Sequence, residues 1–229
     1  MKNPFRSLSR FEWGLWVVSL IVVTLSFFLS PEKDLLSLAS SLVGVTSLIF
    51  IAKGKVFGMI LSLAFAVVYS LVALRFGYWG EIITFLFMTA PVTLLSIVSW
   101  IKHPYRTGEE VAVRPLGRFD VLWVILISLP VTVVFYFVLR ALDTTNLLIS
   151  TVSVTTSFIA SALGYLRSPY YAVGYMANDV VIIALWVMAS IADPRNVPVI
   201  FCFLMFFVND LYAFINWRRM ERRQTADGS

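Results

Sequence analysis

The stretch VPVIFCFLMFFVNDLYAFINW, residues 197–217, decides the fold of this chain. A helix of roughly 20 apolar residues is long enough to cross the hydrocarbon core of a lipid bilayer. The stretch has that length, and Asp210 is its only charged residue. It therefore predicts a membrane-spanning helix that carries one carboxyl group deep inside the membrane.

The whole chain has the composition of a membrane protein. Of its 229 residues, 59% are hydrophobic and 14% are charged, and its mean hydropathy is +0.86. A soluble domain is nearer one half apolar and one quarter charged. The composition excludes a soluble enzyme, a disordered chain and a disulfide scaffold, and it predicts a small polytopic membrane protein.

Eight stretches are long and apolar enough to span the bilayer, which predicts an all-α polytopic membrane protein with eight transmembrane helices and a single transmembrane domain over residues 1–229. These stretches are residues 11–29, 35–52, 56–75, 80–101, 119–140, 146–166, 169–191 and 197–217. The first follows a few basic residues, as a signal peptide would, but it is longer than a signal-peptide core and lacks a small-residue cleavage site. We interpret it as a retained helix.

The basic residues predict the orientation of these helices. With eight spans, one side of the membrane receives 14 of the 18 Lys and Arg residues. Cytoplasmic loops are the basic ones, so we expect a multi-pass protein of the bacterial inner membrane with both termini in the cytoplasm. The tail, residues 218–229, fits a cytoplasmic anchor at lipid headgroups. This placement accounts for the net charge of +5 without a nucleic-acid partner.

The sequence offers little for catalysis or for metal binding. Cys202 is the only cysteine and His103 the only histidine. One of each cannot form a disulfide, a zinc site or a nucleophilic triad, and we find no glycine-rich phosphate loop. We expect no cofactor and no enzymatic activity. Binding or passage of a small molecule through the membrane fits the chain better.

The spans form an internal repeat. In residues 35–101, and again in residues 146–217, the first helix is rich in serine, the second follows a short basic turn, and the third ends in a Trp. Residues 119–140 then form a connector helix, and residues 11–29 an extra N-terminal helix. This 3+1+3 arrangement predicts parallel repeats with a binding site between them near the middle of the membrane.

Two polar pairs lie where polar groups are costly. Asn178-Asp179 and Asn209-Asp210 fall at matching depths of the antiparallel seventh and eighth spans. A carboxylate at the bilayer centre costs roughly 2.5–3.5 kcal/mol even on the lenient insertion scale. Such residues either bind a ligand or cross-link helices, and the sequence leaves both alternatives open.

Aromatic and amide side chains extend these two faces at helical spacing. Such faces suit a flat, uncharged or cationic ligand that accepts and donates hydrogen bonds. The candidate substrate-binding residues are Asn178, Asp179, Trp186, Asn209, Asp210, Tyr212, Asn216, Tyr175, Met88 and Trp217.

The chain resembles the PnuC-type vitamin transporter family. The resemblance rests on residues 77–81 (GYWGE), 88–91 (MTAP) and 99–104 (SWIKHP), on Asn178-Asp179, and on residues 208–217 (VNDLYAFINW). It implies a SWEET-like fold and facilitated diffusion of nicotinamide riboside for NAD biosynthesis. A separate intracellular kinase would then trap the substrate by phosphorylation.

The resemblance leaves the exact vitamin open, because relatives also carry thiamine or riboflavin and a deoxynucleoside is a further alternative. Members specific for nicotinamide riboside have a Trp-x-x-x-Asn-x-x-Trp stretch. If Asn178 is its Asn, Gly174 and Val181 replace both Trp residues.

A membrane sensor or assembly subunit is the alternative from another class of function. An intramembrane enzyme is disfavoured, since no protease-like motif surrounds either Asp. A homo-oligomer is compatible with the sequence.

Overall fold

All regular elements in the described part of the chain are helical. The computed structural model describes residues 4–29, 33–76, 82–106, 108–144, 146–192 and 197–227. After a short 3-10 turn, Pro4–Ser7, the elements there are α1 (Arg10–Leu29), α2 (Leu35–Ala52), α3 (Val56–Phe76), α4 (Thr84–Lys102), α5 (Arg118–Ala141), α6 (Leu147–Tyr165), α7 (Tyr171–Ala192) and α8 (Val197–Ala226). Residues 77–81, which carry part of the family resemblance, lie outside the described residues.

Seven of these helices are long and apolar enough to cross a membrane. In α3, the apolar part is the shorter segment Val56–Val72. The prediction of an all-helical, multi-pass membrane protein is therefore confirmed.

The fourth helix begins with a wide turn. Residues Thr84–Thr89 are π-helical, and the N–H of Ala90 donates to the carbonyl of Phe85, five residues earlier. Pro91, which has no N–H to donate, follows at the start of the regular α-helical part. The π turn therefore lies just before Pro91. Such turns occur often at functional sites.

The last helix is longer than its membrane span. It continues to Ala226, although the sequence pattern predicts its end at Trp217. Arg218 pairs with Glu221 one turn later, and Gln224 Nε2 donates to Glu110 Oε1 at 2.7 Å. The predicted tail is thus mostly a helical extension that packs on the loop between α4 and α5.

Six helices form a closed ring. Helix α2 packs on α3, α3 on α4, α4 on α6, α6 on α7, α7 on α8, and α8 again on α2. Helix α1 lies outside the ring against α2 and α8, and α5 lies outside it against α6. The ring places α7 and α8, with the four predicted intramembrane polar residues, side by side.

One end of the ring, which we call the basic end, holds the largest buried cluster. Here α1 begins and α2, α4 and α6 end, and Trp100 and Trp217 are almost fully buried. The loop between α4 and α5 crosses this end. Its Val111 N–H donates to Gly54 O at 2.9 Å, and its Arg114 N–H donates to Arg167 O at 3.0 Å.

These two loop contacts need unusual backbone conformations. Gly54 and Arg167 follow α2 and α6, with φ angles of 65° and 59° in the left-handed region. The positive φ favours glycine at position 54, whereas the atom closest to a Cβ there would belong to the flexible end of the Met220 side chain. Burial, and then the nearby Arg114 guanidinium, lower the pKa of Arg167 from its ordinary value.

Candidate substrate-binding site

The two intramembrane acids meet between α7 and α8. Asp179 and Asp210 are each only 4% exposed, and their carboxyl groups lie close enough to interact with each other. A hydrogen bond between two carboxyl groups needs a proton on one of them. The pair therefore carries one negative charge when it holds one proton, and we call it the acid pair.

No basic side chain on the surrounding helices neutralises this charge. Helices α2, α6 and α7 contain no Lys, Arg or His, and α8 contains none before Arg218. Within the described residues, Asp179 Oδ2 also makes no hydrogen bond. The acid pair thus offers two carboxyl groups without a basic partner and a free acceptor atom in a region of low dielectric constant, where an ionised carboxylate would strongly favour a cationic ligand.

Asn178 and Tyr175 connect this region to α6. Asn178 Oδ1 accepts from Ser153 Oγ at 2.9 Å and from Thr156 Oγ1 at 3.1 Å. The Tyr175 hydroxyl and Ser161 Oγ lie 2.9 Å apart. These bonds fix the orientation of α7 and leave the amide N–H groups of Asn178 as donors.

Tyr171 adds a second phenol that the sequence analysis did not select. Its ring contacts that of Tyr175 at 6.2 Å between centroids, and it lies within electrostatic range of Asp210. Its side chain is buried, yet its hydroxyl has no hydrogen-bond partner among the described residues. As the first residue of α7, it gave no signal of burial in the sequence.

Two predicted site residues face α1 instead. Asn209 Nδ2 donates to Ser19 Oγ at 2.9 Å, and the Tyr212 hydroxyl donates to Glu12 Oε1 at 2.6 Å. Both therefore lie on the outer side of α8, turned away from the acid pair. Asn209 Oδ1 is buried without a partner among the described residues.

Glu12 is a buried polar residue that the sequence analysis missed. It is 3% exposed, and Lys53 Nζ lies 2.7 Å from its Oε1. The signal for its position was the spacing of Ser9 and Glu12, which form a capping box at the start of α1. Glu12 links α1 to the end of α2 through Lys53 and to α8 through Tyr212.

Asn216 and Trp217 bind the end of α2 at the basic end. Asn216 Nδ2 donates to Ala52 O at 2.8 Å, and Trp217 Nε1 donates to Ile51 O at 2.9 Å. The end of α6 receives the same two bonds from α4, since Ser99 Oγ donates to Tyr165 O and Trp100 Nε1 to Gly164 O, both at 2.9 Å. We call these four bonds the indole clasp.

The two remaining candidates lie apart from the acid pair. Met88 is 3% exposed and packs with Leu139 of α5 and Val154 of α6. Trp186 is half-buried on α7, about 10 Å along the helix from Asp179 at 1.5 Å per residue. The structure thus brings together Asp179, Asp210 and Tyr175, with Asn178 beside them.

Comparison with known proteins identifies the family of this fold and site. A model described as the nicotinamide mononucleotide transporter family matches residues 34–219. The chain belongs to this family. Its members are transporters and not enzymes, in agreement with the lack of a catalytic constellation in the sequence.

Named relatives of this family member share most of its length. It is 25% identical to the nicotinamide riboside transporter PnuC of Neisseria mucosa, over 98% of this chain and 87% of that protein. It is 21% identical to the nicotinamide riboside transporter PnuC of Haemophilus influenzae, over 91% and 90% of the two chains. The resemblance to the PnuC family is confirmed.

A solved structure has the same fold. The crystal structure of the vitamin B3 transporter PnuC superposes with a TM-score of 0.79, covering 95% of this chain and 94% of that one at 24% identity. At this identity the match establishes the fold alone.

Gly174 shows why one expected aromatic residue is missing from this family member. A Cβ at Gly174 would lie 2.8 Å from Ala160 Cα and 2.9 Å from Ala160 Cβ. Helices α6 and α7 therefore approach too closely for any side chain at this position. A substrate ring cannot be stacked by residue 174 in this protein.

Proposed function

We propose that this chain carries nicotinamide riboside across the bacterial inner membrane. The observation that supports this most is the acid pair, which is uncompensated by any basic residue on the surrounding helices. Nicotinamide riboside has a permanent positive charge on its pyridinium ring and no phosphate. The acid pair attracts such a cation and repels the phosphate group of a mononucleotide.

The candidate residues divide into two roles in this proposal. Asp179 and Asp210 bind the charged ring, Asn178 donates to the carboxamide or ribose, and Tyr175 and Trp186 contact the ring. The other candidates stabilise the packing of the helices, because they are already bonded to other helices or packed away from the acid pair. They are Asn209, Tyr212, Asn216, Trp217 and Met88.

We propose that transport uses two parallel three-helix repeats, α2–α4 and α6–α8. Several matching contacts support this. Helix α1 packs on α2 as α5 packs on α6, and each repeat ends in a Trp that binds the last turn of the first helix of the other repeat. Rocking of the repeats about the site between them would expose it alternately to each side.

The orientation and energetics follow from the same proposal. The basic end faces the cytoplasm, since 14 of the 18 Lys and Arg residues belong to segments on this side. Transport is facilitated diffusion, and phosphorylation by an intracellular kinase retains the product for NAD biosynthesis. The exposed apolar surfaces of α1 and α5 contact lipid or a second copy of the chain.

Thiamine is the second candidate substrate. It is also a cationic vitamin, so the acid pair would bind it for the same reason, whereas riboflavin is uncharged. Because Gly174 has no side chain, this protein lacks one ring contact associated with nicotinamide riboside. Thiamine therefore stands as a second candidate substrate.

Uptake by proteoliposomes that contain the purified chain tests the proposal. We expect saturable uptake of labelled nicotinamide riboside that stops at equilibrium and is inhibited by unlabelled riboside but not by nicotinamide mononucleotide. Enclosing a riboside kinase with ATP should convert equilibration into accumulation. Saturable uptake of thiamine alone would favour the second candidate, and no saturable uptake of either vitamin would refute a carrier for cationic vitamins.

A further inference from the structure

Tyr171 is a buried phenol without a hydrogen-bond partner among the described residues. Its side chain is 2% exposed, and its hydroxyl makes no hydrogen bond in the described part of the protein. Tyr175, one turn later on the same helix, is bonded to Ser161. A buried hydroxyl without a partner is destabilising and rare. Because the described residues offer the Tyr171 hydroxyl no partner, a bound ligand could supply one.

The position of Tyr171 joins the acid pair to the indole clasp. On one side it lies within electrostatic range of Asp210. On the other side its ring packs edge-on against Trp217, with centroids 4.9 Å apart and planes at 68°. Trp217 in turn donates to Ile51 O. A displacement of Tyr171 therefore reaches the bond that holds α8 to the end of α2.

We propose that Tyr171 hydrogen-bonds a hydroxyl group of the substrate and, through its contact with Trp217, transmits substrate binding to the indole clasp. This rests on the proposed function, because the substrate must be a hydroxyl-bearing cation held by the acid pair. The ring of the substrate binds at Asp179 and Asp210, and a ribose hydroxyl reaches the phenol on the side of the basic end. Tyr171 thus binds the substrate through its hydroxyl, and its ring carries the effect of binding to Trp217.

The variant Tyr171→Phe isolates the hydroxyl, because it keeps the ring that packs on Trp217. We expect the substrate-free variant to be at least as heat-stable as the original protein, since it loses a buried hydroxyl that has no partner. Its Kd for nicotinamide riboside should rise about fivefold to tenfold, the size of one hydrogen bond. The matched control is Tyr170→Phe, because Tyr170 is 40% exposed and lies outside the site.

Analogues of nicotinamide riboside that each lack one ribose hydroxyl identify the bonded group. The original protein should bind one of these analogues about as weakly as Tyr171→Phe binds the complete riboside. For that analogue the Tyr171→Phe substitution should cause no further loss. If the substitution weakens all analogues equally, or weakens none, the hydrogen bond to the substrate is refuted.

Labelling of a cysteine in the clasp tests the transmission step. Ala52 is 1% exposed and its carbonyl accepts from Asn216, so Ala52→Cys in a Cys202→Ser background reacts with a maleimide only when the clasp opens. Nicotinamide riboside at saturating concentration should change the labelling rate severalfold, and Tyr171→Phe should abolish that change while leaving the substrate-free rate unaltered.

The outcomes separate this inference from the proposed function. An equal substrate-dependent change with and without the Tyr171 hydroxyl overturns the coupling, although the protein would still be a carrier. If the original protein neither binds the riboside nor changes its labelling rate, the proposed function fails and this inference fails with it.

Discussion

The indole rings of Trp100 and Trp217 lie in contact, with centroids 5.3 Å apart, and each donates its N–H to the last turn of a helix in the other half of the ring. Both side chains are almost fully buried. Unpaired carbonyl groups at a helix end need a donor, and here each half of the protein supplies that donor to the other half. The basic end is therefore closed by reciprocal bonds.

Removal of either indole N–H should destabilise the protein. We expect Trp100→Phe and Trp217→Phe each to cost roughly 1–3 kcal/mol, because a buried carbonyl loses its donor and a cavity remains. Thermal unfolding in detergent measures this loss. The double variant should lose less than the sum of the single variants, since the rings touch. Strict additivity would show that the two bonds act independently.

The removal of the Glu12 charge should release α1. Glu12→Gln leaves Lys53, which is 19% exposed, without its carboxylate and weakens the bond from Tyr212. We expect a loss of roughly 1–3 kcal/mol in unfolding free energy, since a largely buried cation becomes unpaired. Adding Lys53→Met should recover part of that loss by removing the unpaired charge. No recovery would mean that the pair contributes through packing alone.

The acid pair should tolerate one amide but not two. In Asp179→Asn or Asp210→Asn, the amide can donate to the remaining carboxylate, so the site keeps one ionisable carboxyl group. We expect cationic substrates to bind to each single variant with an affinity close to normal. The double variant has no charge, and we expect its Kd for nicotinamide riboside to rise at least tenfold. Isothermal titration measures both, and normal affinity in the double variant would refute the role of charge.

Much of this fold could be predicted from the sequence, because each helix needs a long apolar run to satisfy its backbone in lipid. The matching depths of Asp179 and Asp210 also follow from counting residues along antiparallel helices. The partners of Asn209 and Tyr212 could not be predicted. Helical spacing shows that they share a face, but only the packing of α1 shows what that face contacts.

The surface bond between Tyr105 and Asp227 should respond to alkaline pH. The hydrogen bond to Asp227 raises the pKa of Tyr105 from its ordinary value of 10.0. Because the folded value exceeds the unfolded one, this contact contributes below pH 10 and is lost as the pH rises through the folded pKa. In a spectroscopic titration, Asp227→Asn should lower the midpoint of one tyrosine, and Tyr105→Phe should remove that transition. An unchanged titration in Asp227→Asn would show that the bond is absent in solution.

Gly174 should accept no side chain, because α6 packs closely against it. The prediction tests whether helix packing, and not the choice of substrate, excludes a larger residue there. We expect Gly174→Ala to cost roughly 1–3 kcal/mol, because its Cβ would lie 2.8 Å from Ala160 Cα in the backbone of α6. Gly14→Ala is the matched control, since no atom lies within 4 Å of a Cβ there, and it should gain up to about 1 kcal/mol from better helix propensity. The double variant Gly174→Ala with Ala160→Gly removes the nearest Cβ but not the contact with the backbone of α6, so it should recover only part of the loss. Full recovery would place the limit in the Ala160 side chain, and position 174 could then be enlarged to restore a ring contact.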